Sequence, residues 1–196
     1  MNDIKKIIDF LRLIEKLKTI ERFNKTSNLH RAESDAEHIW HLVMMAYLMS
    51  KLKPELNKMK LIELSLVHDL VEVYAGDVNL WDEKKKTKEE KRKAEEKSAE
   101  KLFSALPIDE SLRMMSLWKE YEERSTPESR YIYALDKLQP FLQRLVSGDN
   151  GWKDKLVDEN KLKDVKPEEI KQDEVLSDIW DNFTNEAISR KMLYHD

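Results

Sequence analysis

Leu64-Ser65-Leu66-Val67-His68-Asp69-Leu70-Val71-Glu72-Val73-Tyr74-Ala75-Gly76-Asp77 is the stretch on which the fold turns. Its apolar residues recur every three or four positions, the period of a helix with one buried face. Into that pattern are set His68, Asp69 and Glu72. On a helix Glu72 lies one turn beyond the adjacent pair, so an imidazole and two carboxylates converge near one edge. Gly76 predicts a helix end that delivers Asp77 in the following loop. Polar groups among Leu and Val are costly to bury unless something binds them, and a divalent metal is the obvious candidate. Taken alone, the stretch equally describes a surface helix on which His and Asp are neighbours by chance.

The rest of the chain narrows the choice. Its 196 residues suit one compact domain with a sizeable core. Three glycines and five prolines among many Leu, Lys, Glu and Met predict an all-α protein. Charged residues make up 38% of the chain, yet the net charge is only -4 and the signs are interspersed. Such a surface gives no electrostatic footprint for nucleic acid. No window approaches the roughly eighteen uninterrupted apolar residues of a membrane span, and the N-terminus lacks a cleavable signal pattern. Without cysteine, any metal site must use nitrogen and oxygen donors. The expected compartment is the cytoplasm.

Asp3 is placed to cap a first helix whose stripe, Ile4, Ile7, Ile8, Leu11, Ile14 and Leu17, is expected to bury against the core. Thr19 to Asn24 reads as a polar connection in which Arg22 stands beside Phe23. Ser34 and Glu37 match the capping box of a helix running from Ala36 to about Lys51. That helix is apolar nearly all round, which marks it as central. It carries His38 in its first turn and His41 later; His41 is read as structural, whereas His38 gains interest beside His68-Asp69. A helix resumes near Lys58, and a mixed-charge run from Asp82 to Lys101 predicts an exposed helix. After a helix over Ser111 to Glu123, Thr126-Pro127 restarts the chain with Thr126 as N-cap. The helix that follows sets Asp136 next to a stripe of Ile132, Leu135, Leu138, Phe141, Leu142 and Leu145. A last helix carries Val175, Ile179, Trp180, Phe183 and Ile188.

His38, His68-Asp69 and Asp136 thus fall on three predicted helices, each mainly apolar. This H…HD…D order resembles the HD-domain phosphohydrolase superfamily. Arg31 to Trp40, Val67 to Glu72, Gly76-Asp77-Val78 and Ala134 to Leu138 resemble its 5'-deoxynucleotidase branch, the YfbR-like and HD-domain-containing-protein-2-like proteins. Leu17 to Arg22, Glu120 to Glu123 and Thr126 to Glu128 resemble it too. The matching segments span about residues 10–145, and the helical extension from about 150 to 196 carries none of the motifs.

The resemblance implies a single multi-helix HD-domain bundle over 1–196 and a metal-dependent phosphomonoesterase acting on (deoxy)nucleoside 5'-monophosphates. It implies His38, His68, Asp69 and Asp136 as ligands of Mn, Fe, Co or Zn. Arg22 would orient the phosphate. Phe23, Asp69, Asp136 and the loop Asp77, Val78, Asn79 and Leu80 would contact substrate. Glu72 would position or deprotonate the attacking water, or assist the leaving oxygen, with Asp77 beside it as a further catalytic group. Alternatively Glu72, Asp77 and the Val78 carbonyl would hold a second ion such as Mg. A homodimer is implied as well. Phe23 stands where the bacterial deoxynucleotidases have Trp, which bears on sugar and base contacts. The same scaffold also allows a (p)ppGpp pyrophosphohydrolase or a non-catalytic nucleotide-binding regulator.

Overall fold

The structure is a computed structural model that describes residues 2–28, 31–76 and 88–194. The expected loop contacts Asp77, Val78, Asn79 and Leu80 therefore lie outside the described residues. Asn2–Ile14 forms α1 and runs into a 3-10 turn, Glu15–Lys18. Glu21–Lys25 (β1) pairs with Ala32–Ser34 (β2) as a two-stranded sheet. Then come α2 (Asp35–Met49), α3 (Lys58–Val67), α4 (Glu72–Ala75), α5 (Lys88–Phe103), α6 (Ile108–Glu123) and α7 (Pro127–Ser147). Four helices end the chain: α8 (Gly151–Asp154), α9 (Glu159–Asp164), α10 (Glu168–Lys171) and α11 (Glu174–Ser189). The protein is all-α apart from the small sheet. Among the described residues no helix is long and apolar enough to cross a membrane.

The chain divides into two compact units. The first comprises Met1–Arg22 and Ser34–Ile132. Its central helix starts as the sequence predicts: the Ser34 hydroxyl accepts from the Glu37 backbone N–H and the Glu37 carboxylate accepts from that of Ser34. α2 packs on α3, α3 on α6, and α5 on both α4 and α6. Phe10, Leu17, Ile39, Val67, Leu70, Phe103 and Trp118 belong to the shared core. Each such side chain, fully buried, stabilises the fold by about 1.5–3 kcal/mol.

Three local expectations change. The stripe on α1 does not bury as a whole: Ile4 is 65% and Leu11 56% exposed, and Ile7 and Ile8 are exposed too. The docked face runs instead through Phe10, Leu13, Ile14 and Leu17. The helical period is right, but it does not say which of two overlapping apolar stripes meets the core. Second, Thr19 to Asn24 is not merely a connection, since β1 begins at Glu21. Third, the opening stretch is not one helix. α3 stops at Val67, and Leu70, Glu72 and Val73 donate to Val67, Asp69 and Leu70, three residues back. Such tightening brings the period toward three residues. Leu64, Val67, Leu70 and Val73, spaced by threes, are all buried. Gly76 ends α4 at φ 72°, a backbone region that glycine enters without penalty.

The second unit comprises Phe23–Glu33 and Tyr133–Asp196. Three side-chain amides fasten its first segment to α7: Asn24 Nδ2 donates to the Pro140 carbonyl, Gln143 Nε2 to the Lys25 carbonyl and Gln139 Nε2 to Glu33, each at 2.8 Å. Pro140 sits inside α7 and has no N–H for the carbonyl of Asp136, so one rung of the helix is missing at that aspartate. Phe141 meets Trp152 and Trp180 edge-on, with ring centroids 4.9 and 5.0 Å away. The motif-free tail therefore supplies the core of this unit.

Arg144 lies buried in it. The guanidinium is 4.5 Å from the Phe23 ring centroid, pairs with Asp149 at 2.7 Å and donates to Asn24. It lies so close to Gly151 that a Cβ there would run into it. Gly151→Ala is expected to destabilise the protein by about 1–3 kcal/mol, the usual scale of an overpacked core. A chemical-denaturation midpoint equal to wild type would show that the contact yields freely.

Candidate metal centre

His68 caps the C-terminus of α3, its backbone N–H donating to the Leu64 carbonyl at 3.1 Å. Its Nδ1 lies 2.9 Å from the Ser65 carbonyl. A carbonyl only accepts, so Nδ1 carries the hydrogen, and in the neutral ring Nε2 keeps its lone pair. That Nε2 lies 3.3 Å from Nε2 of His38, which projects from the first turn of α2. Both rings are buried, and Tyr121 holds the His68 ring edge-on at 5.2 Å.

Asp69 follows in the turn between α3 and α4. Its Oδ2 is 3.2 Å from His68 Nε2 and 3.7 Å from His38 Nε2. Burial pushes the Asp69 carboxyl up. The charge and hydrogen bond of His68 when its ring is protonated, then Arg22 and a protonated His38, outweigh that and hold it well below the usual carboxylate range. Arg22 Nη1 donates to Asp69 Oδ2 at 2.9 Å. Glu72 opens α4, buried, its backbone N–H donating to the Asp69 carbonyl at 3.1 Å.

The arrangement fits a metal. Two donors held about 2.1 Å from one ion at about 90–110° lie about 3.0–3.4 Å apart. The His38–His68 and His68–Asp69 separations, 3.3 and 3.2 Å, fall in that range. Two imidazole nitrogens and a carboxylate turned toward one point are donor types that a divalent cation takes. The Ser65 carbonyl supplies the outer hydrogen bond that metal-ligating histidines use to fix the tautomer.

The first unit thus brings together His38, His68, Asp69 and Arg22 in one set of contacts, with Glu72 one short turn away. Asp136 and Phe23 belong to the second unit. Asp136 is buried on α7, and Lys137 Nζ donates to its Oδ2 at 2.7 Å. Phe23 is half-buried against Arg144. His41 is half-buried on α2, and burial pushes its imidazole down. Sequence reasoning missed Ser65 and Asp35. Ser65 acts through its main chain, which leaves no signal in residue type. Asp35 resembles an ordinary acidic residue in a first helical turn, yet it is fully buried.

Two buried histidines and an aspartate, set at helix termini of a helical chain, define an all-α metal-binding protein. Residues 14–187 match the HD domain family. Human and bovine 5'-deoxynucleotidase HDDC2 are 33% and 34% identical to this chain over 138 residues, or 70% of it. The chain spans about two thirds of their lengths, 66% and 65%. A crystal structure described as a predicted metal-dependent phosphohydrolase from Magnetospirillum magnetotacticum MS-1 matches with a TM-score of 0.87. It is 32% identical, and the match covers 100% of both chains. The chain belongs to the HD domain family, and it carries a divalent-metal site.

Metal loading is expected to stabilise the fold, by about 2.7 kcal/mol when free metal is 100 times its dissociation constant. His68→Ala should abolish the rise in melting temperature that a bound divalent metal gives the wild-type protein, with metal content after dialysis falling in step. An undiminished metal-dependent rise in the variant would remove His68 from the site.

Proposed function

We propose that this protein is a metal-dependent phosphomonoesterase that hydrolyses (deoxy)nucleoside 5'-monophosphates to nucleoside and phosphate. The observation that carries the reading is the convergence of His38, His68 and Asp69, with Arg22 bound to the same Asp69 carboxylate. It supports the reading because a guanidinium suited to a phosphate stands beside a carboxylate of the proposed metal site. The nucleotide relatives named above point the same way.

His38, His68, Asp69 and Asp136 are the proposed ligands. His38, His68 and Asp136 are buried side chains of the kinds that hold such ions. Mn, Co, Fe and Zn suit an N₂O₂ donor set. When bound, the ion acts as a Lewis acid on a phosphoryl oxygen and makes water a nucleophile at neutral pH. Arg22 holds the phosphate through its guanidinium fork. In the reaction a water oxygen bonds to phosphorus, the bond from phosphorus to the 5'-oxygen breaks, and a water proton ends on that oxygen. Glu72, buried at the start of α4, accepts or passes that proton, or with Asp77 and the Val78 carbonyl holds a second ion such as Mg. Phe23 and the segment Asp77 to Leu80 contact the nucleoside. The whole of 1–196 acts as one HD domain.

A homodimer is also proposed. Trp40 is 67% exposed on α2, and Met44, Tyr47 and Leu48 are exposed on the same helix. Contiguous apolar surface of that kind marks association sites. Sedimentation giving a monomer mass at working concentration would remove the dimer.

Phosphate release from a panel of dNMPs, NMPs and ppGpp, with Mn, Co and Mg in turn, tests the activity. Release from dNMPs is expected, and no release from any of them would overturn it. Glu72→Gln removes the charge and the base while keeping size. It should fold, keep its main-site metal and lose turnover by at least about 10²-fold. A defect repaired by excess Mg or Mn would assign Glu72 to a second ion, and wild-type turnover would take it out of the mechanism.

A further inference from the structure

Arg22 is held by two carboxylates. Its Nη1 donates to Asp69 Oδ2 at 2.9 Å and to Asp35 Oδ1 at 3.1 Å. Asp35 is the first residue of α2, directly after the Ser34 N-cap. An acid in the first turn of a helix is ordinarily a solvated partner of the helix dipole. Asp35 is different, because its side chain has 0% exposure and Arg22 only 13%. A buried carboxylate is tolerated when charge and hydrogen bonds compensate it, and Arg22 supplies such a charge.

The backbone makes the same connection. The Asp35 N–H donates to the Ile20 carbonyl at 3.1 Å, so the start of α2 is tied to the chain two residues before Arg22. The capping box fixes the Asp35 main chain from the other side. Asp35 therefore offers a carboxylate of fixed position on a rigid helix terminus. Asp69 is a poorer anchor for the arginine, since the same oxygen also faces His68 at 3.2 Å and His38 at 3.7 Å. A flexible side chain such as Arg binds an anion best when its orientation is already set.

We propose that Asp35 is a positioning residue for Arg22: its buried carboxylate holds the guanidinium in the orientation that meets the substrate phosphate, and so sets phosphate affinity without touching substrate. This rests on the phosphate-binding role of Arg22 proposed above.

The test is a double-mutant cycle with Arg22→Ala and Asp35→Asn in Mn-loaded protein. It is read as KM and kcat on a deoxynucleoside 5'-monophosphate and as the Kd of inorganic phosphate by calorimetry. D35N is expected to raise KM and the phosphate Kd by about 10- to 100-fold, the scale of a lost charge-assisted hydrogen bond. Metal content should stay at the wild-type level and kcat should change less than KM. In the R22A background D35N should cause no further loss, because its effect passes through the arginine. Equal losses in both backgrounds would overturn the proposal, as would D35N with wild-type phosphate affinity while R22A is impaired. An R22A protein with wild-type phosphate affinity would instead overturn the reading of Arg22 itself. Asp35→Glu keeps the charge and shifts it by one methylene, so it serves where D35N does not fold. It is expected to weaken phosphate binding by a smaller factor, and wild-type affinity in this variant also overturns the proposal.

Discussion

Two imidazole nitrogens held 3.3 Å apart in a buried setting, with a carboxylate oxygen 3.2 Å from one of them, are the constraint that the first unit is built to maintain. The Ser65 carbonyl takes the Nδ1 hydrogen of His68 and leaves Nε2 to face inward. The capping box fixes the first turn of α2 and with it His38. The tightened turn after Val67 keeps Leu70 and Val73 in the core while setting Asp69 beside both rings. The local structure at each point answers to one requirement, that several electron-rich atoms share a place for a cation. When a cation binds there, metal binding is part of folding stability.

Much of this was legible in the sequence. The capping box at Ser34 and Glu37, the restart at Thr126-Pro127 and the helix end at Gly76 depend on local chemistry that a few residues specify, and each stands where expected. His38 and His68-Asp69 stood out as polar groups on apolar segments, and the structure buries the two histidines side by side. What local pattern could not give is direction. α1 has the right period but docks through Phe10 and Leu13, since two overlapping stripes satisfy the same repeat. The break after Val67 is hidden because apolar residues spaced by threes suit both a regular helix and a tighter turn. Asp35 was invisible for a related reason: its type is common in first turns, and only tertiary burial shows that its partner is Arg22 rather than water.

The tail shows the same limit. Its helices carry no recognisable motif, yet Trp152 and Trp180 flank Phe141 on α7, and Asp149 and Gly151 enclose Arg144. Arg144 in turn lies against Phe23, the residue after Arg22 in the chain. A segment without catalytic residues thereby supports one that the proposed function uses. Long-range aromatic and guanidinium packing of this kind has no sequence period, which is why composition and spacing pass over it.

The central proposal is that one divalent ion binds His38, His68, Asp69 and Asp136. A crystal structure of the Mn- or Co-loaded protein, with the ion located by its anomalous scattering, tests it most directly. A single strong peak is expected, with Nε2 of both histidines and a carboxylate oxygen of each aspartate about 2.0–2.2 Å away. A peak elsewhere in the molecule, or an ion at His38 and His68 that Asp136 does not reach, would contradict it.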